Sequence, residues 1–167
     1  MKKASKLFLG LGIAFTLIVL TACGHGYDKN GIPTELKKSY TGSTDIEDYD
    51  ANIPSGGSTL TFNMKSHTIK VKTDDETKTV YFKVLSKKNM TRDTKGKLNK
   101  VKSKLEGDKY FIMVLANSKS DLTQKIKSQS FPIFVSVSDS GKKIHMFEYN
   151  DGYTRSEYFD YSGESDT

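Results

Sequence analysis

The sequence predicts a mainly β domain: an antiparallel meander of about seven strands that forms a barrel-like or two-layer sheet, with one or two short helices. Two observations lead to this prediction. Apolar and polar residues alternate with a period of two over much of the chain between residues 59 and 84. Turn-forming clusters separate successive apolar runs, so that each strand reaches the next through a short connection.

The first three predicted strands have one apolar face and one polar face. Residues 59–64, 69–72 and 80–84 each alternate apolar with polar side chains. The polar residues 66–67 and 73–76 lie between these runs and favour turns. The pattern is typical of hairpins with one face exposed to water.

The next two predicted strands, residues 110–115 and 131–137, carry apolar side chains on both faces, which is typical of the most buried strands of a sheet. Short helices are predicted on either side of the first of them. In the lysine-rich segment 86–108, three apolar residues have the i, i+3, i+7 spacing of a helix face: Leu98, Val101 and Leu105. Residues 120–126 begin with Ser-Asp, which favours a capped helical turn or two.

The chain ends in a last predicted hairpin. Residues 144–149 alternate in polarity, and residues 150–152, Asn-Asp-Gly, give the strongest hairpin-turn signal because they tolerate positive φ. Residues 153–161 are predicted to form the return strand. Residues 163–167 are polar and are expected to fray.

Two irregular segments are predicted ahead of the first strand. Residues 33–38 allow one or two helical turns, and residues 42–57 are rich in loop-forming residues. Within that loop, residues 48–52 match the first three alternating oxygen ligands of a calcium loop. However, Ile53 and Thr59 occupy the positions that require glycine and a bidentate glutamate. No metal site is therefore predicted.

The first 23 residues have the order of a bacterial export signal. Lysines precede an apolar run from Leu7 to Leu20, and the run ends in Leu20-Thr21-Ala22-Cys23. This arrangement resembles the lipobox of bacterial lipoproteins. The resemblance implies cleavage between Ala22 and Cys23 and a diacylglycerol on the Cys23 thiol. The apolar run has about 14 residues, fewer than the ~20 that cross a bilayer, which argues against an uncleaved anchor helix.

These features divide the chain into a signal peptide (1–22), a tether (23–30), one β-rich domain (31–162) and a frayed tail (163–167). We expect the protein at the extracytoplasmic face of the cell membrane, held by the two chains of the diacylglycerol. Nucleic acid is excluded as a partner at that location. Because Cys23 is the only cysteine, the sequence offers neither a disulfide nor a cysteine nucleophile, and no cofactor is expected besides the diacylglycerol.

The net charge is positive and unevenly distributed. Loss of the signal peptide removes three of the 26 basic residues and none of the 20 acidic ones, so the net charge falls from +6 to about +3. Residues 65–127 carry 17 basic and 7 acidic residues. Two interpretations follow: a positive face drawn to anionic lipid or wall polymers, or dispersed lysines that keep exposed strands soluble. From the sequence we favour the second.

No catalytic site is predicted. His25 lies in the tether, and His67 lies in a turn. His145 lies within a strand, on the same face as Phe147 and Tyr149, and no Gly-x-Ser-x-Gly nucleophile elbow accompanies it. We therefore do not expect an enzyme.

Aromatic residues are concentrated near the end of the chain. Together with the strand histidine they form a candidate surface for a ligand or a partner, since tyrosine combines an apolar ring with a polar tip. The alternative is that these residues are only good strand formers. The candidate surface comprises His145, Phe147, Tyr149, Tyr153, Tyr158 and Tyr161.

A further pattern opens the mature domain. It consists of Gly31-Ile32-Pro33, Leu36, Tyr40, Gly42 and Leu60-Thr61-Phe62. The pattern resembles small lipoproteins of Gram-positive Firmicutes such as lactobacilli, in which a short helix and an aromatic residue near a glycine precede a lipocalin-like run of strands. The Gly-x-Trp of that family is absent, and Lys38-Ser39-Tyr40 stands in its place. The resemblance implies a β-rich, barrel-like domain and carries over no ligand.

The sequence thus predicts a non-enzymatic, membrane-anchored binding module whose partner is an envelope protein or a wall polymer. One alternative is a lipocalin-like carrier of a small apolar ligand. The pocket of such a carrier is expected to be lined by Phe62, Phe82, Ile112 and Val135. A more distant alternative is a hydrolase that uses His145.

Overall fold

A computed structural model describes residues 26–44, 52–149 and 159–166, and the strands in these residues form a closed antiparallel barrel. The strands are β1 (Ser39–Thr44), β2 (Gly56–Asn63), β3 (Thr68–Lys72), β4 (Thr77–Val84), β5 (Lys109–Ala116), β6 (Ile133–Ser138), β7 (Lys143–Glu148) and β8 (Asp160–Glu164). Each strand pairs with the next along the chain, and β8 pairs with β1. Helix α1 (Arg92–Val101) precedes β5, and helix α2 (Lys119–Ser128) follows it.

The predicted fold class is confirmed, with eight strands where about seven were expected. The additional strand is β1, which lies partly in the segment predicted to be a loop. Tyr40 and Thr44 are its buried side chains, and its outward positions carry Ser39, Thr41 and Ser43. With a single large apolar residue, the strand has too weak an alternation to stand out in the sequence.

The core consists of two apolar clusters separated by the sheet. The interior cluster fills the barrel with inward-facing side chains, among which Tyr40, Phe62, Phe82 and Tyr161 are at most 4% exposed. The helix-side cluster lies on the outer surface of the sheet, where Phe134 and residues of α1 pack together. The two strands predicted to be most buried, β5 and β6, contribute to both clusters, so that prediction is confirmed.

The two helices begin at the capping residues that their sequences offer. The Thr91 hydroxyl accepts a hydrogen bond from the Thr94 N–H, and the Ser118 hydroxyl accepts one from the Asp121 N–H. Helix α2 ends at Gln129, whose backbone adopts the left-handed conformation. The buried Gln129 side chain then joins the helices, because its Oε1 accepts hydrogen bonds from Thr91 N–H at 2.8 Å and Thr94 Oγ1 at 2.9 Å.

Residues 26–38 close one end of the barrel, which we call the tether end. Ile32 is 3% exposed and belongs to the interior cluster. No helix forms over 33–38; Leu36 N–H donates to the Pro33 carbonyl in a turn, so the expected helical turns were wrong. The Asp28 carboxylate accepts hydrogen bonds from the N–H groups of Asn30 and Ile32 at 2.8 and 2.9 Å.

The boundaries of the domain differ from those predicted. Gly26 accepts a backbone hydrogen bond from Thr34, so the folded domain includes part of the segment assigned to the tether, residues 23–30. At the other end, β8 continues through Gly163 and Glu164, which were assigned to the frayed tail. Both residues pair with β1 and β7, because closure of the barrel requires a strand between those two.

Candidate functional site

An open groove of about 480 Å³ lies on the outer surface where β6, β7, β8 and β1 run side by side. The pairing register builds it from rows of outward-facing residues. One row runs across the four strands through Ser136, His145, Ser162 and Ser43. The next row runs through Ser138, Lys143, Glu164 and Thr41. Because most of these side chains are small, the surface is concave, and we call it the outer groove.

His145 is the most precisely held side chain of the outer groove. Its Nε2 lies 2.7 Å from Oδ1 of Asp160 on the neighbouring strand. Its ring stacks on Phe147, with centroids 4.7 Å apart and an angle of 24° between the planes. A carboxylate only accepts hydrogen bonds, so Nε2 donates in this pair, and Nδ1 takes no part in it. The imidazole can therefore offer an oriented hydrogen bond to a ligand.

Phe147 connects the outer groove to the helix-side cluster. It is 3% exposed and stacks against Phe134, with ring centroids 5.7 Å apart. The Lys104 ammonium lies 5.7 Å from the Phe147 centroid and also lines the groove. The wall of the groove is therefore set by the packing of the segment that follows α1.

The aromatic surface predicted from the sequence is dispersed. His145 lines the groove, Phe147 is buried beneath it, and Tyr149 packs against the helix-side cluster. Tyr161 faces the barrel interior and is fully buried, because it alternates with the outward-facing Asp160 and Ser162. The remaining two tyrosines, Tyr153 and Tyr158, lie outside the described residues. The described residues therefore contain no continuous aromatic platform.

Tyr161 instead supports the sheet beneath the outer groove. Its hydroxyl donates to the carbonyl oxygens of Tyr40 and Ser58, each at 3.2 Å. Burial raises the pKa of Tyr161 to about 12, and the nearby side-chain hydroxyl of Ser58 acts in the opposite direction. A Cβ at Gly163 would lie 2.8 Å from the Tyr161 ring, so glycine at this position leaves the space that the ring occupies.

A second buried phenol, that of Tyr40, links the interior to the tether end. Its hydroxyl donates to the Gly141 carbonyl at 2.9 Å and accepts from the Lys37 N–H at 2.8 Å. Burial raises the pKa of Tyr40, with a smaller rise from Glu35, while the Lys37 hydrogen bond lowers it. The two tyrosines thus fix the closing strands β1 and β8 from inside the barrel.

Sequence reasoning missed most of the groove. Ser136 lay in a strand predicted to be apolar on both faces, and Ser138 lay just beyond its predicted end, although two serines at alternating positions indicate an outward polar row. Asp160 was not associated with His145, because only the register of β7 and β8 brings the two together. No local spacing in the sequence encodes that contact.

The four residues expected to line a carrier pocket do not share a cavity. Phe62, Phe82 and Val135 face the interior, where the rings of Phe62 and Phe82 pack edge to face at 6.4 Å. Ile112 faces outward into the helix-side cluster, because β5 is apolar on both faces and the prediction assigned the wrong one. A separate open depression of about 310 Å³ lies at the tether end, with Leu36 among its apolar lining residues.

Two further expectations concern a metal site and a membrane anchor. Among the described residues, no group of three or more histidine, cysteine or acidic side chains is placed to hold a metal ion. The acidic loop at 48–51 and the lipobox with Ala22 and Cys23 lie outside those residues. Within residues 26–44, 52–149 and 159–166, no helix has the length and hydropathy needed to span a bilayer.

Comparison with protein-family models, with curated proteins and with solved structures gave no match.

Proposed function

We propose that this protein is a lipid-anchored, non-enzymatic binding module of the bacterial envelope that holds a polar ligand in the outer groove. The observation that supports this most strongly is the concave row of hydroxyl side chains around an imidazole fixed by Asp160 and Phe147. These groups lie on hydrogen-bonded strands of a closed barrel, so little order has to be gained on binding.

The composition of the groove indicates the chemistry of the ligand. Its lining contains hydroxyl groups, the ammonium groups of Lys104 and Lys143, and the carboxylates of Asp108 and Glu164. A surface of this kind favours a ligand that carries hydroxyl or amide groups and charges of both signs. Segments of an envelope protein and repeating units of a wall polymer have this character, whereas an apolar ligand would leave the groove's polar groups unpaired.

The anchoring part of the proposal rests on Cys23. A diacylglycerol on this thiol supplies two acyl chains, which is the number needed for stable attachment to a bilayer. We expect Cys23→Ala to prevent processing and lipidation and to abolish incorporation of radiolabelled fatty acid. Processing and labelling equal to those of the wild type would exclude a lipid on Cys23.

Site-specific photo-crosslinking on intact cells tests the groove. A photoreactive amino acid at Ser162 lies in the groove and is exposed, and the same amino acid at Thr79 is equally exposed on the outer face of β4. We expect a discrete crosslinked product from position 162 that position 79 does not give. In a second arm, His145→Ala should lower the yield of the crosslinked product from position 162, because the variant lacks the oriented imidazole. Equal crosslinking from both positions would contradict the groove as the site.

The alternative of an apolar-ligand carrier is favoured by the depression at the tether end, where Ile32, Pro33, Leu36 and Met64 provide apolar lining. A carrier should bind an environment-sensitive apolar dye, and Met64→Lys should abolish that binding without changing the crosslink at position 162. Absence of dye binding to the wild-type protein would exclude a carrier.

The hydrolase alternative is favoured only by the contact of His145 with Asp160, which meets the geometric requirement for an oriented general base. Turnover of ester or amide substrates that disappears in His145→Asn would support it. Binding that persists in that variant without any turnover in the wild type would support the module.

A further inference from the structure

Nearly half of the basic residues in the middle of the chain lie in the segment that surrounds α1. Residues 86–105 contain eight basic residues and one acidic residue, Asp93. We call the exposed basic residues of this stretch the basic face. They are Lys87, Lys88, Arg92, Lys95, Lys100, Lys102 and Lys104. The expectation that lysines are simply dispersed over exposed strands does not describe this segment.

Helix geometry directs Arg92, at the start of α1, away from the barrel. In α1, Thr94 and Val101 are buried against the helix-side cluster. Arg92 and Lys95 are exposed: with residues spaced by 100° around the axis, Arg92 lies on the opposite side of the helix and Lys95 on its flank. The one acidic side chain, Asp93, forms an ion pair with Lys97 at 3.1 Å. Lys97 is not part of the basic face, so the charge that Asp93 opposes lies outside that face.

The start of the folded domain lies beside the end of the basic face. Tyr27 Oη accepts a hydrogen bond from the Tyr110 N–H, and a Cβ on Gly26 would lie 3.0 Å from the Lys109 side chain. Both contacts are at the beginning of β5, a few residues after the 3₁₀ turn Lys102–Leu105. Lys109 also bridges to Glu35 at 2.6 Å, which fixes residues 26–38 to this strand.

The chain between the lipid and the domain is therefore very short. Cys23 precedes Gly26 by three residues, and three residues span at most about 11 Å when fully extended. A lipid on Cys23 would hold the beginning of β5, and with it the nearby basic face, close to the headgroups of the bilayer. Each lysine or arginine near an anionic bilayer contributes about 1 kcal/mol of attraction.

We propose that the basic face docks on the anionic surface of the bilayer that carries the lipid anchor, so that the barrel lies on its side with α1 against the headgroups. This inference rests on the anchoring part of the proposed function. It assigns the surface of β2 and β3 to the side that faces away from the membrane. The attraction is screened by salt, because the exposed charges interact through solvent.

Lysine footprinting on the lipidated protein tests the docking. The protein is placed in vesicles of phosphatidylcholine alone or with about one third phosphatidylglycerol, a membrane-impermeant amine reagent is added, and labelling is read by mass spectrometry. We expect Lys87, Lys88 and Lys102 to be labelled about threefold more slowly on the anionic vesicles. Lys70 and Lys72, exposed on β3, should react equally on both. About 0.5 M salt should remove the difference.

Two matched double variants separate the basic face from net charge. Arg92→Gln/Lys95→Gln should reduce the protection of Lys87, Lys88 and Lys102, whereas Lys70→Gln/Lys72→Gln removes the same charge and should leave it unchanged. Equal labelling of the basic face on neutral and anionic vesicles would overturn the proposal. So would protection that appears only when a soluble anionic wall polymer is added to neutral vesicles, since the partner would then be that polymer.

The same experiment keeps a failure of anchoring apart from a failure of docking. A protein without the lipid will not float with neutral vesicles, which refutes the anchoring alone. If that protein still shows salt-sensitive protection of the basic face on anionic vesicles, docking stands. Flotation with both kinds of vesicle, combined with equal labelling, refutes the docking and leaves the anchoring intact.

Discussion

The two outer surfaces of the barrel differ although the same kind of sheet forms both. The outward residues of β5, β6 and β7 include Ile112, Val114 and Phe134, which α1 and α2 cover. The outward residues of β2 and β3 include Thr59 and Lys70, which face solvent. The comparison shows that the outward positions of a strand decide whether helices are placed over it, while the inward positions are apolar on both sides of the barrel.

The largest effect is expected where the covered surface is most tightly packed. Phe134 is fully buried under the helices and stacks on Phe147, so Phe134→Ala should lower the free energy of unfolding by about 3–5 kcal/mol. Thr59→Ala on the open surface, where the hydroxyl contacts that of Thr41 at 3.1 Å, should change it by less than about 0.5 kcal/mol. Denaturant unfolding measures both. Similar losses would remove the distinction between the two surfaces.

A second prediction extends the comparison from the two outer surfaces to the interior of the barrel. Tyr161 has a pKa of about 12 in the folded chain against 10.0 for an exposed phenol. As the pH rises, the unfolded chain therefore releases this proton first. Its contribution to stability is complete below about pH 10 and falls by about 2–3 kcal/mol on approaching pH 12.

Urea unfolding at a series of alkaline pH values tests this expectation. The wild type should lose stability more steeply than Tyr161→Phe between about pH 10 and 12, because the variant has no proton to release at this position. Lysines and the other tyrosines are present in both proteins, so their contributions cancel when the two curves of stability against pH are subtracted. Parallel curves would show that the Tyr161 phenol ionises as easily in the folded chain as in the unfolded one.

A smaller effect concerns the connection between the two covering helices. Gln129→Ala removes the acceptor of two hydrogen bonds at the start of α1 and should cost about 1–2 kcal/mol. Gln124→Ala replaces an exposed glutamine of α2 and is the matched control. Hydrogen exchange should show faster exchange in α1 for the first variant only. Unchanged exchange would mean that packing alone holds α1.

Strands on both outer surfaces were predicted from the sequence, and the strand that was missed is one that closes the barrel. Strands β2 to β6 were predicted correctly, because their apolar residues repeat with period two or fill both faces. Strand β1 was missed, since its glycine, serines and threonines resemble a loop until a partner on each side supplies hydrogen bonds. The alternation of apolar and polar residues therefore predicts strands that bury several large side chains. It misses a strand such as β1, which is held mainly by hydrogen bonds to its two neighbours.

The candidate site was predicted less well than the fold, for a related reason. His145 was selected from the sequence as the histidine with the least ordinary surroundings, and it lines the groove. Its partner Asp160 and the serines of the same row come from three different strands, so only the register brings them together. The sequence prediction placed Tyr161 on a surface. The pairing that closes the barrel decides which residues of β8 face inward, and the sequence does not show that pairing.

Closure of the barrel by β1 and β8 also affects how copies of this protein meet one another. Within the described residues, the backbone of every strand is hydrogen-bonded to a neighbour on each side. A sheet of this kind presents no free edge onto which a strand of another molecule could add. Copies held on a membrane surface, as proposed above, would collide often and in similar orientations, and barrels without a free edge would stay dispersed under such crowding.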